Sequence, residues 1–280
     1  MKKKIKTVHL FYYTENKRAV LWKNKIQKWL NKNHAGIELV EDDADVVMVL
    51  GGDGTILEAA NKFGATGSLI IGLNLGNVGF LASVRKPANF MKNIKRLFSG
   101  QYKVAERMMA NAEIIRKGKK IFSLNAFNDI AVQSPLGMVE LEVKIEDHPL
   151  QFIRGTGVLV STSTGSTAMN LSYHGPIVTP DIKSFIITEL ADHNTPTPSI
   201  VIEKNRMITI NVLDFREMGL LMLSKNSQKI DTVLTVDGSV IQPLKKKDKV
   251  IIQHSPQLIK FVEFEDHYFF KSLQEKFAFK

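Results

Sequence analysis

At 280 residues, with 44% hydrophobic and 24% charged side chains, the sequence has room for two modest domains or one large one, and its composition is that of a globular protein. The absence of cysteine excludes a disulfide framework, a thiol nucleophile and thiolate metal sites, and no apolar run approaches the ~18 residues that cross a bilayer. A net charge of +10 favours anionic partners, but the lysines are dispersed without a basic-helix or aromatic-interleaved pattern, so a small polyphosphate explains the sign without nucleic acid.

Met1-Lys2-Lys3-Lys4 resembles the start of a signal peptide, yet the apolar stretch behind it is broken by Lys6, Thr7 and His9, which points to a cytoplasmic chain. Residues 7–13 read as a first strand. In 16–34, Ala19, Trp22, Ile26, Trp29 and Leu30 recur at helical spacing, so both tryptophans are expected to pack against a sheet. Residues 46–50 form a β-branched run suited to a strand buried on both faces, and 56–63 carry apolar residues that fit the inner face of a helix. Between them stands Gly51-Gly52-Asp53-Gly54-Thr55. Glycines admit a ligand close to the backbone, and a helix N-terminus faces phosphate well. A carboxylate in that space suits proton acceptance or metal holding during phosphoryl transfer. A plain β–α turn with Asp53 as helix N-cap is the bland alternative.

A buried strand over 69–73 leads to a second glycine-bearing loop, Asn74-Leu75-Gly76-Asn77-Val78-Gly79-Phe80-Leu81. Two such loops at strand C-termini mark a ligand crevice in an open α/β sheet. A helix over 87–98 follows, stopped by Ser99-Gly100. Residues 1–99 thus alternate strand and helix, as a parallel, Rossmann-like sheet requires. From 100 to 264 short alternating segments separated by turns predict a β-rich, sandwich-like domain, among them 112–115 and 121–124 around Lys117-Gly118, then 140–145, 158–160, 207–212, 232–236 and 250–254. Residues 265–280 read as a terminal helix that returns to the first domain.

Two stretches of the β-rich part hold more small polar residues than strands need. In Asn125-Ala126-Phe127-Asn128-Asp129, the amide can take a base edge and the carboxylate ribose hydroxyls, although an Asx turn accounts for the same residues. The other is Arg154-Gly155-Thr156-Gly157 and, beyond it, STSTGSTAMNLS at 161–172, a dense set of hydroxyls and exposed N–H groups suited to sugar or phosphate. The seven histidines show no metal-ligand spacing, and no metal-ligating residues are expected.

Taken together, GGDGT at 51–55, NLGNVGFLA at 74–82, Asn128-Asp129, STSTGSTAMNLS and Gly175-Pro176-Ile177 resemble the NAD kinase family in order and separation. GGDG also occurs in diacylglycerol-type lipid kinases and phosphofructokinases, and the later blocks single out NAD kinase. The resemblance implies phosphoryl transfer from ATP, or polyphosphate, to the adenosine ribose 2′-hydroxyl of NAD. It implies a divalent metal, usually magnesium, and a homodimer or homotetramer in which NAD sites draw on a neighbouring subunit. By the same resemblance Asp53 is the base and Gly54 lies beside the substrate. Asn128 and Asp129 hold the adenosine, Arg154, Thr156 and Phe80 belong to the NAD site, and Thr167, Ala168, Met169, Asn170, Leu171 and Ser172 line the adenine and ribose pocket. Gly51, Gly52, Thr55, Asn74 and Gly76 face phosphates.

The chain departs from the family pattern at four positions. Thr156 stands for an aspartate, Met169 for a tyrosine, Ser163 for a proline and His174 for a glycine. Methionine can still cover a base; the lost carboxylate at 156 bears on NAD affinity and on NAD-versus-NADH preference. A lipid acceptor, by the shared GGDGT, and a non-catalytic NAD(P)-binding module, by Thr156 and Met169, are the two alternative functions.

Overall fold

The computed structural model describes residues 4–77, 79–192, 197–223 and 228–278. It divides into two compact units, Met1–Arg107 with Gln257–Lys280, and Met108–Pro256. Val78 of the second glycine loop and residues 279–280 of the expected terminal helix lie outside the described residues.

The first unit opens with β1 (Thr7–Tyr12), α1 (Lys17–Asn33), β2 (Glu38–Leu39), β3 (Val46–Gly51), α2 (Asp53–Phe63), β4 (Leu69–Asn74) and α3 (Phe90–Phe98). β3 is buried along its whole length, as its unbroken apolar run requires of a central parallel strand. It pairs in parallel with β1 on one side and β4 on the other, and β2 extends the sheet beyond β1. The Asn16 side chain caps α1 by accepting from the Arg18 and Ala19 N–H groups at 3.1 and 3.2 Å. The two tryptophans of α1 pack on the first unit's core, where the rings they meet belong to α3 and not to a strand: Trp22 meets Phe90 edge-on at 4.9 Å, and Trp29 lies 5.9 Å from Phe98.

β5 (Lys103–Arg116) leads without a break into the second unit. There follow β6 (Lys119–Ala126), β7 (Asp129–Gln133), β8 (Val139–Ile145), β9 (His148–Thr162), a 3₁₀ turn at Thr164–Thr167, α4 (Met169–Ser172), β10 (Ser184–Asp192), β11 (Ile200–Glu203), β12 (Ile208–Phe215), β13 (Leu221–Leu223), β14 (Gln228–Ile230), β15 (Val233–Val236), β16 (Val240–Pro243) and β17 (Lys249–Glu263). The pairing is antiparallel throughout this unit: β7, β8 and β10 all pair with the long β9, β12 pairs with β8, and β15 joins β7 to β16. Inward residues such as Leu141, Val143, Ile153, Val158, Phe185 and Ile210 form one core with Val250 and Ile252. β17 then passes back into the first unit, where Lys260 and Phe261 pair in parallel with Leu69 and Ile70 of β4. α5 (Tyr268–Phe277) closes the chain on that unit, so an α/β sheet unit, a β-rich unit and a returning C-terminal segment are all present. Among the described residues no helix is long and apolar enough to cross a membrane.

One buried ion pair ties three elements of the second unit together. Asp248 is 1% exposed and receives Arg116 through two bonds, Nε to Oδ1 at 2.8 Å and Nη2 to Oδ2 at 2.6 Å, while Oδ2 also accepts the Lys245 N–H at 2.7 Å. Nη2 reaches the Pro243 carbonyl as well, and the carboxylate raises the guanidinium's pKa. Removing the cation strands a buried charge. Arg116→Ala is therefore expected to lower stability by about 3–5 kcal/mol, read as a shifted denaturant midpoint.

Candidate active site

In the first unit the two glycine loops meet at the C-terminal ends of β3 and β4, where Gly51 and Asn74 are register partners. The Leu75 N–H donates to the Gly51 carbonyl at 3.1 Å. A Cβ on Gly76 would stand 3.7 Å from the Gly52 Cα, so the loops touch backbone to backbone. Asn74, 2% exposed, folds its own loop: its Oδ1 accepts the Gly76 N–H at 2.9 Å and its Nδ2 donates to the Asn77 carbonyl at 2.8 Å. Thr55 packs its side chain over Gly51, whose missing Cβ makes the room.

Asp53 is the first residue of α2, with Gly52 at the cap position making no side-chain bond. The Asp53 carboxylate does not cap its own helix. It turns to the second loop, Oδ2 accepting the Phe80 N–H at 2.7 Å and Oδ1 the Leu81 N–H at 3.2 Å. Gly79 permits this, because any Cβ there would fall inside the carboxylate. Gly51, Gly52, Asp53, Gly54, Thr55, Asn74, Gly76 and Phe80 therefore stand together at the N-terminus of an 11-residue helix, whose dipole and free N–H groups favour an anion.

In the second unit the segments 127–129 and 161–165 are laced together. Asp129 and Ser161 are β7–β9 partners. The Thr162 N–H donates to the Asn128 carbonyl at 2.8 Å, and Thr162 Oγ1 donates to the Phe127 carbonyl at 2.7 Å. A Cβ on Gly165 would collide with the Asn128 carbonyl. Behind them stands a residue the sequence reading passed over. Asp237 accepts three backbone N–H bonds, from Phe127 at 2.8 Å, Asn128 at 2.7 Å and Asp129 at 3.0 Å. It sits with Gly238 in the turn joining β15 to β16, both at positive φ. An Asp-Gly pair between β-branched runs signals such a turn, but nothing local says where its carboxylate points.

Asp129 is 4% exposed. Burial and the neighbouring charge of Asp237 push its carboxyl up to about 7. The half-buried Met169 packs on Ala131, Leu159 and Leu190. Asn170 is fully buried and its amide is used internally: Nδ2 donates to the Ser166 and Pro176 carbonyls at 3.1 and 3.0 Å, and Oδ1 accepts from Thr188 Oγ1 at 2.7 Å. Thr167 and Ala168 lead into α4, where Leu171 is half-buried and Ser172 exposed. The buried hydroxyls of Ser163 and Thr164 have no protein partner.

Arg154 and Thr156 lie elsewhere. They fall inside β9, where Thr156 accepts the Ser134 N–H beyond the far end of β7. Thr156 lies five steps along the strand from Ser161, roughly 17 Å at ~3.3 Å per residue. Arg154, exposed, pairs with Glu140 across the ladder at 3.3 Å. Within one chain these two residues do not join Asn128 and Asp129.

Among the described residues no group of three or more histidines and carboxylates is placed to hold a metal. The carboxylate that the glycine loops do hold, Asp53, is a single oxygen donor of the kind that a divalent ion carried by phosphates takes beside water.

Two protein-family models match the chain: the ATP-NAD kinase N-terminal domain over residues 1–102 and the ATP-NAD kinase C-terminal domain over 128–264. Among curated relatives, the NAD kinase of Lachnoclostridium phytofermentans is 32% identical over 255 residues, covering 90% of this chain and 86% of the relative. That of Fusobacterium nucleatum is 30% identical over 274 residues and 95% of each chain. Two solved structures share the fold. Yeast NADH kinase complexed with NADH superposes with a TM-score of 0.85 at 17% identity, over all of this chain and 89% of that one. The NAD kinase of Archaeoglobus fulgidus in complex with ATP superposes with a TM-score of 0.71 at 22% identity, over 97% and 96%. These two structures share with this chain the arrangement of an α/β unit, a β-rich unit and a returning C-terminal segment. With both domain models and relatives of 30% identity and more along nearly its whole length, the chain belongs to the ATP-NAD kinase family. Neither a lipid acceptor nor a non-catalytic module has support in these comparisons.

The raised Asp129 carboxyl carries a pH signature. An unfolded aspartate ionises near pH 4 and the folded one near about 7. Between those values the folded state binds the extra proton, so this group's contribution to stability falls as pH rises from about 4 to about 7. Asp129→Asn is expected to raise the ligand-free melting temperature at pH 8 by about 4 °C or more, and by a small fraction of that at pH 4.5, by scanning calorimetry.

Proposed function

We propose that this chain phosphorylates NAD to NADP, moving the γ-phosphoryl group of ATP to the adenosine ribose 2′-hydroxyl. The observation that carries the reading is the Asp53 carboxylate, held by the Phe80 and Leu81 N–H groups beside the Gly51–Thr55 turn in a chain of this family. The 2′-oxygen attacks the γ-phosphorus, the bond to the ADP oxygen breaks, and the hydroxyl proton passes to Asp53. Carboxylates are weak bases toward a sugar hydroxyl, so the proton leaves late and positioning does most of the work. A divalent ion bound with the nucleotide, magnesium by family likeness, supplies charge neutralisation on the phosphates. The backbone of Gly51, Gly52, Gly54, Thr55 and Gly76, with Asn74 fixing the loop, serves the phosphate side.

Asn128 and Asp129, pinned by Asp237, take the adenosine end, with Met169 as an apolar wall. Asn170 acts by shaping this pocket, because its polar atoms are already bonded within the chain. The distance of Arg154 and Thr156 from that pocket along β9 supports an assembly, a homodimer or homotetramer, in which they serve a neighbour's NAD. A cytoplasmic enzyme, with polyphosphate as the alternative donor to ATP, completes the reading.

Incubation with ATP, magnesium and NAD is expected to yield NADP; no product under varied metals and donors would sink the proposal. Asp53→Asn should lower kcat by about 10²–10⁴-fold, the usual contribution of a positioned base. Gly79→Ala should lower it by about 10-fold or more at little cost in NAD affinity by calorimetry, since its methyl group displaces the same carboxylate.

A further inference from the structure

The loop that fixes Asp53 is itself gripped by α5. Phe80, whose N–H binds Asp53, is 8% exposed and lies beneath two rings of that helix, Phe269 at 5.7 Å and Phe277 at 6.3 Å between centroids. Lys276 Nζ stands 4.9 Å from the centroid of the Phe80 ring. Further along the loop, Arg85 Nη2 donates to the Tyr268 carbonyl at 2.9 Å and Nη1 pairs with Glu275 at 3.1 Å. The same guanidinium lies 4.5 Å from the centroid of the Tyr268 ring. Between these two holds, the buried Tyr268 hydroxyl reaches the Gly79 carbonyl at 3.5 Å, long for a hydrogen bond but directed at the glycine beside the carboxylate.

The rest of the loop is anchored differently. Val84 exchanges strand-like bonds with Gly72 and Asn74, and Ser83 Oγ accepts the Gly72 N–H at 3.1 Å. Residues 83 and 84 are therefore fixed by β4 whatever α5 does. Residues 79–81 take their position from Asp53 on one side and from the aromatic rings of α5 on the other. Two backbone N–H groups can hold a carboxylate in one orientation only if the peptide planes carrying them are held too.

We infer that α5 is a positioning element for phosphoryl transfer: Phe269, Phe277 and Tyr268 fix the 79–81 backbone and, through it, the direction of the Asp53 carboxylate. This rests on the reading of Asp53 as the acceptor of the 2′-hydroxyl proton. None of the three residues need touch substrate. Their loss should cost rate far more than affinity, because none of the three carries an adenosine or phosphate contact assigned above and Phe80 is the one NAD-site residue that packs against them.

The test is steady-state kinetics on full-length protein carrying Phe269→Ala with Phe277→Ala, beside the conservative pair Phe269→Leu with Phe277→Leu. The alanine pair is expected to lose about 10-fold or more in kcat while KM for NAD and for ATP stays within about 2-fold, the pattern of an interaction felt in the transition state. The leucine pair, which refills the contact on Phe80, should recover kcat to within about 3-fold of the wild type. A helix that only stabilised the fold would lower the melting temperature and leave kcat intact well below it. Full kcat in the alanine pair, or a loss that tracks NAD affinity measured by calorimetry, overturns the inference. If the alanine pair does not fold, Tyr268→Phe is read in the same way: a several-fold fall in kcat at unchanged KM supports the inference, and wild-type kcat overturns it. An unaltered protein that makes no NADP defeats the reading of Asp53 and this inference with it. An active protein, inactivated by Asp53→Asn but indifferent to the α5 changes, defeats the inference alone.

Discussion

A carboxylate at a helix N-terminus ordinarily folds back on its own first turn. Asp53 does not; it reaches across to the Phe80 and Leu81 N–H groups, and the glycine loops of the first unit are arranged around that choice. Gly79 clears the space for its oxygens, Gly51 lets Thr55 close over the strand end, and Asn74 bends its loop so that Gly76 lies against Gly52. The parallel sheet sets this up, since β3 and β4 deliver Gly51 and Asn74 side by side. Gly51 and Gly79 are there because another group needs their volume, a stronger demand than flexibility, whereas Gly52 and Gly54 face open space.

The second unit solves a related problem with the roles reversed. Here the fixed carboxylate, Asp237, takes three backbone N–H groups, and the carboxylate it crowds, Asp129, is left with a raised affinity for its proton. One acid shapes the segment, and its buried neighbour is poised near neutrality. If ribose hydroxyls donate to Asp129 as proposed above, they favour its ionised form, and nucleotide binding would then release its proton.

Periodicity made most of the architecture readable. The alternation of 3.6-residue and unbroken apolar patterns gave the parallel sheet, and Lys117-Gly118 marked a true hairpin turn, with both residues at positive φ. The glycine motifs announced the two loops because close approach restricts residue type. Other features left no local trace. β9 and β17 each run 15 residues, longer than their visible alternating cores, because their ends are satisfied by partners far away in sequence. The two units change over within β5 and β17, where no turn or linker composition marks the place. Asp237 lies about a hundred residues from the groups it binds, and the contact of Tyr268 with Gly79 spans 189 positions. An aspartate in a hairpin turn and an aromatic helix near a terminus have ordinary local explanations, so only tertiary structure reveals what they hold.

The β15–β16 hairpin also bears on which insertions this fold can absorb. A neighbouring turn, at residues 244–248, ends in the Asp248 ion pair, with Lys246 and Lys247 pointing outward around it. At the Asp237 tip, by contrast, the turn residue itself is the anchor for a distant stretch of backbone. Lengthening that hairpin by a single residue would swing the anchor away from three amides at once. Sequence drift should therefore spare its length even where it freely rewrites the side chains along β15 and β16.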